Sequence, residues 1–167
     1  MAKFGERLQA IAEFVSQGSV LADIGSDHAY LPIRLYREGR CKKYILTDIK
    51  PGPLEKTRAS INKALGGIPQ EFSLRMGDGL EPISKGEADV CVIAGMGGES
   101  IIDILAADET KTRSIKRFIF QPRTKTQELC FFLEKERYII TAMKTAFEKG
   151  RYCDIIVSEP QNRERGL

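Results

Sequence analysis

The sequence predicts a three-layer α/β domain, in which a seven-stranded, mostly parallel sheet carries helices on both faces and ends in an antiparallel hairpin. Three observations predict this fold. Five short apolar runs alternate with segments whose apolar residues recur at helical spacing. Two further strand-like runs follow with no helix between them. The chain has 167 residues and is 42% hydrophobic, which suits one domain with a sizeable core.

The predicted helices rest on apolar residues three and four positions apart. Those between Phe4 and Val15 predict a first helix over 4–17, which Gly18 ends. At the start of the last helix, Thr124 and Gln127 stand at the spacing of a capping box. The remaining helices are predicted over 30–39, over 54–65, through Ile101, Ile102 and Leu105, and over 124–136.

The predicted strands are short apolar runs. The first five are SVLADI (19–24), YILTDI (44–49), residues 70–76, ADVCVIAG (88–95) and RFIFQP (117–122). Right-handed crossovers make these five parallel. The last two, 138–148 and 151–159, are separated only by a turn and form a hairpin. A reversed terminal hairpin after five parallel units is typical of Rossmann-like class I methyltransferases, and ordinary dinucleotide-binding folds lack it.

No internal repeat, low-complexity tract or linker divides the sequence. We therefore expect one domain over residues 1–160 and a polar, frayed tail over 161–167. The formal charge of +3 permits an acidic partner such as RNA but does not require one.

Cysteine and histidine usage excludes several classes of protein. The sequence has one His and four scattered Cys without a CxxC pair, so no metal site and no dithiol redox motif are expected. Free thiols indicate a reducing compartment. No uncharged stretch approaches the ~18 residues of a membrane span, and the first helix is amphipathic rather than a signal sequence. We expect a cytoplasmic protein that does not contact a membrane.

The loop after the first strand, DIGSDHAYLP, is the first candidate binding site. Ligands of open α/β sheets bind at the carboxyl ends of the strands. Gly25 permits a tight turn, and the helix that follows offers free N–H groups. Asp27 stands where a dinucleotide-binding motif has its second Gly, and its carboxylate would repel a pyrophosphate. S-adenosylmethionine fits better, because it carries an ammonium and a sulfonium and no phosphate. A generic turn is the alternative.

Two further acids follow strands. Asp48 ends the second strand about 25 residues after Asp23, near the offset at which an acid accepts hydrogen bonds from ribose hydroxyls. Its alternative role is to cap the helix that begins near Pro51. Asp78 follows the third strand and is placed to receive an adenine amino group, although a type I turn explains Gly-Asp-Gly nearly as well. Together the acids outline an adenosine pocket.

The fourth strand ends in IAGMGGES. Gly95, Gly97 and Gly98 are expected to let the backbone approach a ligand before the next helix begins. The Asn-Pro-Pro-aromatic motif of many amino-methylating enzymes is absent here, so a catalytic group must lie elsewhere. Asp27 is the candidate.

A basic stretch surrounds the fifth strand. It contains six Lys or Arg residues and no acid between positions 111 and 125: Lys111, Arg113, Lys116, Arg117, Arg123 and Lys125. Such clusters bind phosphates. A solvated loop is an equally good interpretation.

At this point the sequence resembles the bacterial TrmK family of tRNA (adenine-N1)-methyltransferases. The resemblance rests on RLQAIAEFV, VLADIGSDHAYLP, GDGLEPISKGEAD, IAGMGGESI, RFIFQP and KGRYCDIIVSEP, and it runs in register from about Arg7 to Pro160. It implies S-adenosylmethionine as methyl donor, N1 of adenosine 22 in tRNA as acceptor, and Asp27 at the reaction centre.

The resemblance and the loop patterns together define the candidate residues. On the cofactor side they are Asp23, Gly25, Ser26, His28, Asp48, Ile49, Asp78, Gly79, Ala94, Gly95 and Met96. On the substrate side they are Tyr30, Arg113, Lys116, Arg117, Arg123 and Lys125. Tyr30 is expected either to stack on the target base or to lie in the core, and His28 either to bind the cofactor or to shape the turn.

The sequence also departs from the family. Asp48 replaces a Glu and keeps a hydroxyl acceptor, whereas Arg123 replaces an Asn on the substrate side. Family members continue into a C-terminal helical extension thought to help hold tRNA, and this sequence stops at Leu167. Three alternatives stay open: methylation of another RNA or a small molecule, a cofactor-binding module without catalysis, and, least favoured, a dehydrogenase.

Overall fold

Each predicted strand is present in the computed structural model, which describes residues 4–26 and 28–161. The strands are β1 (Ser19–Ile24), β2 (Cys41–Asp48), β3 (Phe72–Met76), β4 (Val90–Met96), β5 (Arg117–Pro122), β6 (Tyr138–Glu148) and β7 (Arg151–Pro160). The helices are α1 (Glu6–Glu13), α2 (Tyr30–Arg37), α3 (Pro51–Leu65), α4 (Gly98–Ala106), α5 (Glu109–Arg113) and α6 (Thr126–Lys135).

The strands form one seven-stranded sheet in the order β3-β2-β1-β4-β5-β7-β6. The first five are parallel, and β7 lies antiparallel between β5 and β6. The predicted fold and its terminal hairpin are confirmed. Because the chain order reverses between β1 and β4, their carboxyl ends diverge into a crevice where such sheets bind ligands.

Alternate residues of each strand supply two separate cores. Leu21 of β1 packs on one face with Ile11 of α1 and Leu35 of α2. The next residue, Ala22, packs on the other face with Ile101 of α4. This period of two explains why the inner strands are apolar throughout, since both faces of the sheet are covered.

Two helix boundaries differ from the prediction. α1 ends at Glu13 rather than at residue 17, and the Arg40 guanidinium donates to the carbonyl oxygens of Ala12 and Val15 at 3.3 and 3.0 Å. A side chain distant in sequence thus satisfies carbonyls that would otherwise continue the helix. The predicted helix from residue 4 includes two residues that precede α1.

The capping box predicted at Thr124 and Gln127 does not form. α6 begins at Thr126 after Lys125, whose φ of 57° is left-handed, and no side chain caps it. The carbonyl of Thr124 instead accepts from the Gly98 N–H at 2.8 Å. Packing between two loops therefore overrides a local signal. The short helix α5 was not predicted either; the Asp108 side chain caps it by accepting from the Lys111 N–H.

Over the residues that the structure describes, no helix has both the length and the apolar character to cross a membrane. The predicted tail begins at Gln161, and residues 162–167 lie outside the described residues.

Candidate functional site

A cleft of about 660 Å³ opens at the carboxyl edge of the sheet. The ends of β1 and β2, the loop after β3 and one side of α4 form its walls. Of the predicted cofactor residues, the cleft is lined by Gly25, Asp48, Ile49, Asp78, Gly79 and Met96. The loops that the sequence singled out separately therefore meet in one place.

Gly25 turns the chain at the end of β1. Its φ is +68°, and its N–H donates to the carbonyl of Thr47 in β2 at 2.9 Å. A Cβ at this position would lie 2.8 Å from the Met96 Cε. The left-handed backbone requires glycine here, as the sequence predicted for a tight turn, whereas the Met96 methyl is the end of a flexible side chain and could move.

Asp23 and Ser26 lie beneath this turn rather than in the cleft wall. Both are buried, with exposures of 7% and 5%. Burial raises the pKa of Asp23 from 3.8 to about 7, because a carboxylate is poorly solvated there; the Ser26 side chain and the positive charge of Arg7 act in the opposite direction. Asp23 is thus a group whose ionisation responds to a nearby cation near neutral pH.

This burial predicts a specific pH dependence of stability. The native state keeps the Asp23 proton between pH 3.8 and about 7, whereas the unfolded chain loses it, so the free energy of unfolding falls as pH rises through that window. Asp23→Asn removes this dependence. The free energy of unfolding of the variant, relative to that of wild type, should be about 2 to 3 kcal/mol higher at pH 8 than at pH 5.

Urea unfolding of both proteins at the two pH values measures the difference. Glu134→Gln, which removes an exposed acid on α6, is the control for loss of a carboxylate. If the free energy of unfolding differs between Asp23→Asn and wild type by the same amount at pH 5 and at pH 8, the raised pKa of Asp23 is contradicted.

The loop that leads into α2 has an unusual backbone. His28 and Ala29 have φ values of 57° and 54°, and Ala29 precedes α2 without a side-chain cap. Asp27, the predicted catalytic residue, lies outside the described residues.

Tyr30 is exposed rather than in the core. Its ring is 45% exposed and stacks on His28, with centroids 5.4 Å apart and planes 18° apart. The core alternative for Tyr30 is wrong, because α2 buries Leu31, Ile33 and Leu35 instead. Its stacking on a substrate base stays a prediction.

Asp48 lies at the cleft wall where β2 ends. Its Oδ1 accepts from the Lys50 N–H at 3.2 Å, which shapes the turn and leaves the second carboxylate oxygen for a ligand. Lys50 is the N-cap residue of α3, so Asp48 binds the N–H at the start of that helix, and its alternative structural role is compatible with its place in the cleft wall. Ile49 beside it is 58% exposed, which suits an apolar contact for a flat ring.

Asp78 and Gly79 line the cleft from the loop after β3, the strand beside β2. The Asp78 carbonyl accepts from the Glu81 N–H at 2.9 Å, so a turn is present, and the Asp78 residue lines the cleft as well. Gly79 has a φ of +54°, and a Cβ there would lie 3.0 Å from the Ile104 side chain. Asp78 therefore both forms the predicted turn and lines the predicted site.

The glycines after β4 serve two purposes. Gly95 has a φ of +78° with open space where a Cβ would be, and Met96 reaches the cleft. Gly98, by contrast, would place a Cβ 2.8 Å from the Thr124 carbonyl. The prediction that Gly98 lets the backbone approach a ligand is therefore wrong. Its lack of a side chain leaves room for the loop before α6 instead. Ala94, half-buried near the end of β4, does not reach the cleft wall.

Sequence reasoning missed one wall of the cleft. Ser100, Asp103, Ile104 and Ala107 line it from α4 and its end. They recur at positions i, i+3, i+4 and i+7 and so lie on one face of the helix. This spacing is the sequence signal that could have identified them.

The charge of the cleft is negative. Among its described lining residues five are acids and one is a base: Asp48, Asp78, Glu81, Asp103 and Asp108 against Lys111. The Lys111 Nζ already donates to the carbonyls of Leu80 and Glu81 at 3.3 and 3.2 Å. This environment disfavours a pyrophosphate and favours a cationic ligand. Within residues 4–26 and 28–161, no group of three or more His, Cys, Asp or Glu residues could hold a metal ion.

The predicted basic stretch does not form one surface. Arg117 lies at the start of β5, where it pairs with Glu159 at 2.9 Å and donates to the Phe14 carbonyl. Lys116 beside it pairs with Asp89 at 3.1 Å. Both lie at the amino edge of the sheet, which is the edge away from the cleft.

Arg113 also has a structural role. It pairs with Glu109, donates to the Glu136 carbonyl and lies over the Tyr138 ring at 5.0 Å. Only Arg123 and Lys125 follow the carboxyl end of β5, and both are exposed. The strand thus places the two ends of the basic stretch at opposite edges of the sheet, as its position around the fifth strand predicted; substrate contacts of the individual residues stay predictions.

Comparisons with known proteins show the family to which this chain belongs. A family model described as a methyltransferase domain matches residues 4–156. The tRNA (adenine(22)-N(1))-methyltransferase of Bacillus subtilis (strain 168) is 39% identical over 162 residues, which cover 97% of this chain and 67% of that protein. The crystal structure of the B. subtilis M1A22 tRNA methyltransferase TrmK superposes with a TM-score of 0.87. The chain belongs to the TrmK family of methyltransferases.

The TrmK structure from B. subtilis matches 98% of this chain and 69% of its own, at 39% identity. A Streptococcus pneumoniae protein, Sp1610, described as a putative tRNA (m1A22) methyltransferase and solved in complex with S-adenosyl-L-methionine, has a TM-score of 0.89 at 32% identity. That match covers 97% of this chain and 75% of Sp1610. The chain thus spans roughly two thirds to three quarters of the relatives it matches, and the resemblance found in the sequence is confirmed.

Proposed function

We propose that this chain is an S-adenosylmethionine-dependent methyltransferase that modifies N1 of an adenine in tRNA, at position 22. The observation that carries the proposal is the acidic cleft at the carboxyl edge of a TrmK-family sheet, with Asp48 at the end of β2. The acceptor and its position come from the B. subtilis relative.

The residues of the cleft fit this cofactor. Asp48 keeps a carboxylate oxygen for the ribose hydroxyls, and Asp78, which follows the neighbouring strand β3, lines the same cleft as acceptor for the adenine amino group. Ile49 offers apolar surface to the ring. The acids that line the cleft suit the positive sulfonium.

Asp23 gives the proposal a further support. A buried carboxyl group with a pKa of about 7 ionises more readily when a cation approaches it. The ammonium of the cofactor is such a cation, and Asp23 lies in β1 two residues before Gly25, which lines the cleft.

When bound, S-adenosylmethionine supplies an electrophilic methyl group on sulfur. The protein has three tasks: it holds adenine N1 in line with that methyl group, excludes water and stabilises the charge that appears on the adenine ring. N1 has its own lone pair, so no strong base is required. We assign charge stabilisation and orientation of the N6 amino group to Asp27. The target base must leave its stack to reach the site, and the exposed Tyr30 ring is available to receive it.

The test uses unmodified tRNA transcripts that carry either adenine or guanine at position 22, with S-adenosylmethionine labelled in its methyl group. We expect label in the adenine-22 transcript alone, recovered as N1-methyladenine at that position. Label at another position or in the guanine transcript overturns the assigned acceptor. Calorimetric binding of the cofactor without transfer to either transcript overturns the enzymatic function in favour of a binding module.

A further inference from the structure

The β6–β7 hairpin extends beyond the sheet on the side of the cleft. β5 pairs with β7 through Phe120 and Ile156, and β5 then continues only to Pro122. β7 begins at Arg151, five positions before Ile156. The hairpin therefore overhangs the carboxyl end of β5 by three residues, about 10 Å at ~3.3 Å per residue.

The turn of this hairpin is tight. Glu148 pairs with Arg151, and the two residues between them, Lys149 and Gly150, have φ values of 51° and 76°. Two left-handed residues in a two-residue loop form a type I′ turn, whose twist matches that of the strands. The overhanging segment is a defined structure and not a loose loop.

One face of the overhang is packed and the other is open. On the packed face, Ala146 lies in the core with α1. At this same end, Arg7 of α1 pairs with Glu148 at 3.2 Å, and Glu6 accepts from the Phe147 N–H. The side chains that alternate with Ala146 point away from α1, and they stay exposed.

The open face carries an aromatic pair. Phe147 and Tyr152 are cross-strand partners, with exposures of 50% and 77% and ring centroids 5.0 Å apart. Met143 on the same face is 58% exposed. Apolar side chains concentrated on a projecting rigid hairpin indicate a surface that contacts a partner.

The charge around these rings identifies the partner's chemistry. Arg123, Lys149 and Arg151 are exposed and make no ion pair with the described residues. Of the nearby acids, Glu148 pairs with Arg7, whereas Asp154 accepts from the Thr145 hydroxyl at 3.1 Å and Glu6 accepts from the Phe147 N–H, so three unpaired bases stand against these two acids. Aromatic rings among unpaired basic side chains are the combination that binds unpaired nucleotides, because rings stack on bases while cations contact phosphates.

We propose that Phe147 and Tyr152, with Arg123, Lys149 and Arg151, form a platform that binds unpaired nucleotides of the RNA substrate beside the cleft. This proposal rests on the proposed function and adds where the RNA is held. Aromatic residues, Met and Arg are also enriched in protein interfaces, so a protein partner is the competing outcome of the test, and the unpaired positive charge favours RNA. The overhang and the cleft lie at the same carboxyl-end edge of the sheet, the overhang beside β5 and the cleft at the ends of β1 and β2.

The test compares Phe147→Ala and Tyr152→Ala with the conservative variants Phe147→Tyr and Tyr152→Phe. Binding of fluorescently labelled, unmodified tRNA is measured by anisotropy, together with calorimetric affinity for S-adenosylmethionine and the melting temperature. We expect each Ala variant to weaken tRNA binding roughly 5- to 100-fold. The conservative variants should bind within about threefold of wild type, and cofactor affinity should be unchanged in all four.

Ile68→Ala is the control, since Ile68 is 37% exposed and lies between α3 and β3, at the opposite end of the sheet from the hairpin. Equal tRNA affinity of the Ile68, Phe147 and Tyr152 variants overturns the platform. So does an equal loss in Tyr152→Ala and Tyr152→Phe, or a loss that occurs only where the variant unfolds. A wild-type chain that binds tRNA and cofactor but transfers no methyl group overturns the proposed function alone, because the binding comparison does not depend on turnover.

Discussion

Asp27→Ala is expected to lower the single-turnover rate of methyl transfer to tRNA by roughly 100- to 1000-fold, the effect typical of removing one group that stabilises transition-state charge. The adenine ring becomes cationic as N1 receives the methyl group, and the variant lacks the carboxylate assigned to that charge. The affinity for S-adenosylmethionine should stay within about threefold, since the ribose and adenine acceptors Asp48 and Asp78 remain. Rapid-quench kinetics with saturating cofactor, together with calorimetry, measures both quantities.

Asp27→Asn separates two contributions of this side chain. It keeps a hydrogen-bond acceptor for the N6 amino group and removes the charge. If charge stabilisation dominates, Asn should be nearly as slow as Ala; if orientation dominates, Asn should recover much of the rate. Wild-type turnover in Asp27→Ala would refute the assignment of this residue.

Asp48→Ala is expected to weaken S-adenosylmethionine binding roughly 10- to 100-fold. A hydrogen bond to a charged group contributes about 1.5–3 kcal/mol, and the loss of that amount corresponds to this range. The structure motivates the site, because Asp48 lines the cleft while only one of its oxygens is engaged by the Lys50 N–H. The rate at saturating cofactor should change little, because the ribose lies away from the reacting atoms.

Calorimetric titration of Asp48→Ala, Asp48→Asn and Glu134→Ala tests this expectation. Asn keeps one acceptor and should give an intermediate affinity, whereas removal of the exposed Glu134 on α6 should have no effect. An unchanged affinity in Asp48→Ala would show that the ribose is held by other residues.

Local patterns sufficed for much of the fold. The apolar runs from SVLADI to RFIFQP form β1 to β5, because a strand buried on both faces is recognisable from its own composition. The hairpin was equally clear, since only a two-residue turn separates β6 from β7. Each of these features depends on residues that are close together in the sequence, so each can be predicted from the sequence.

The candidate site was predictable for a related reason. Gly25, Asp48 and Asp78 each follow a strand, and parallel strands bring their carboxyl ends to one edge. The sheet topology thus brings three residues that are far apart in the sequence together in one cleft. The α4 wall was missed because its polar residues resemble an ordinary solvated helix face until the loop with Gly79 packs across it.

The errors share a physical cause. Thr124 and Gln127 have the spacing of a capping box, yet the Thr124 carbonyl binds the Gly98 N–H and the helix starts elsewhere. Arg117 belongs to a basic run, yet it pairs with Glu159 from a strand 42 positions away. In the first case a long-range contact overrides a capping preference worth about 1 kcal/mol, and in the second a distant acid pairs with the basic side chain.

The sequence by itself therefore determined the class of fold, the edge of the sheet that binds ligands, and the family. Only the tertiary structure decided which glycines face the cleft, which basic residues are free to meet a substrate, and that the hairpin carries an exposed aromatic pair beyond the sheet edge. The reason is that periodicity and turn chemistry are encoded within a few residues, whereas exposure and charge pairing depend on which distant segments come into contact.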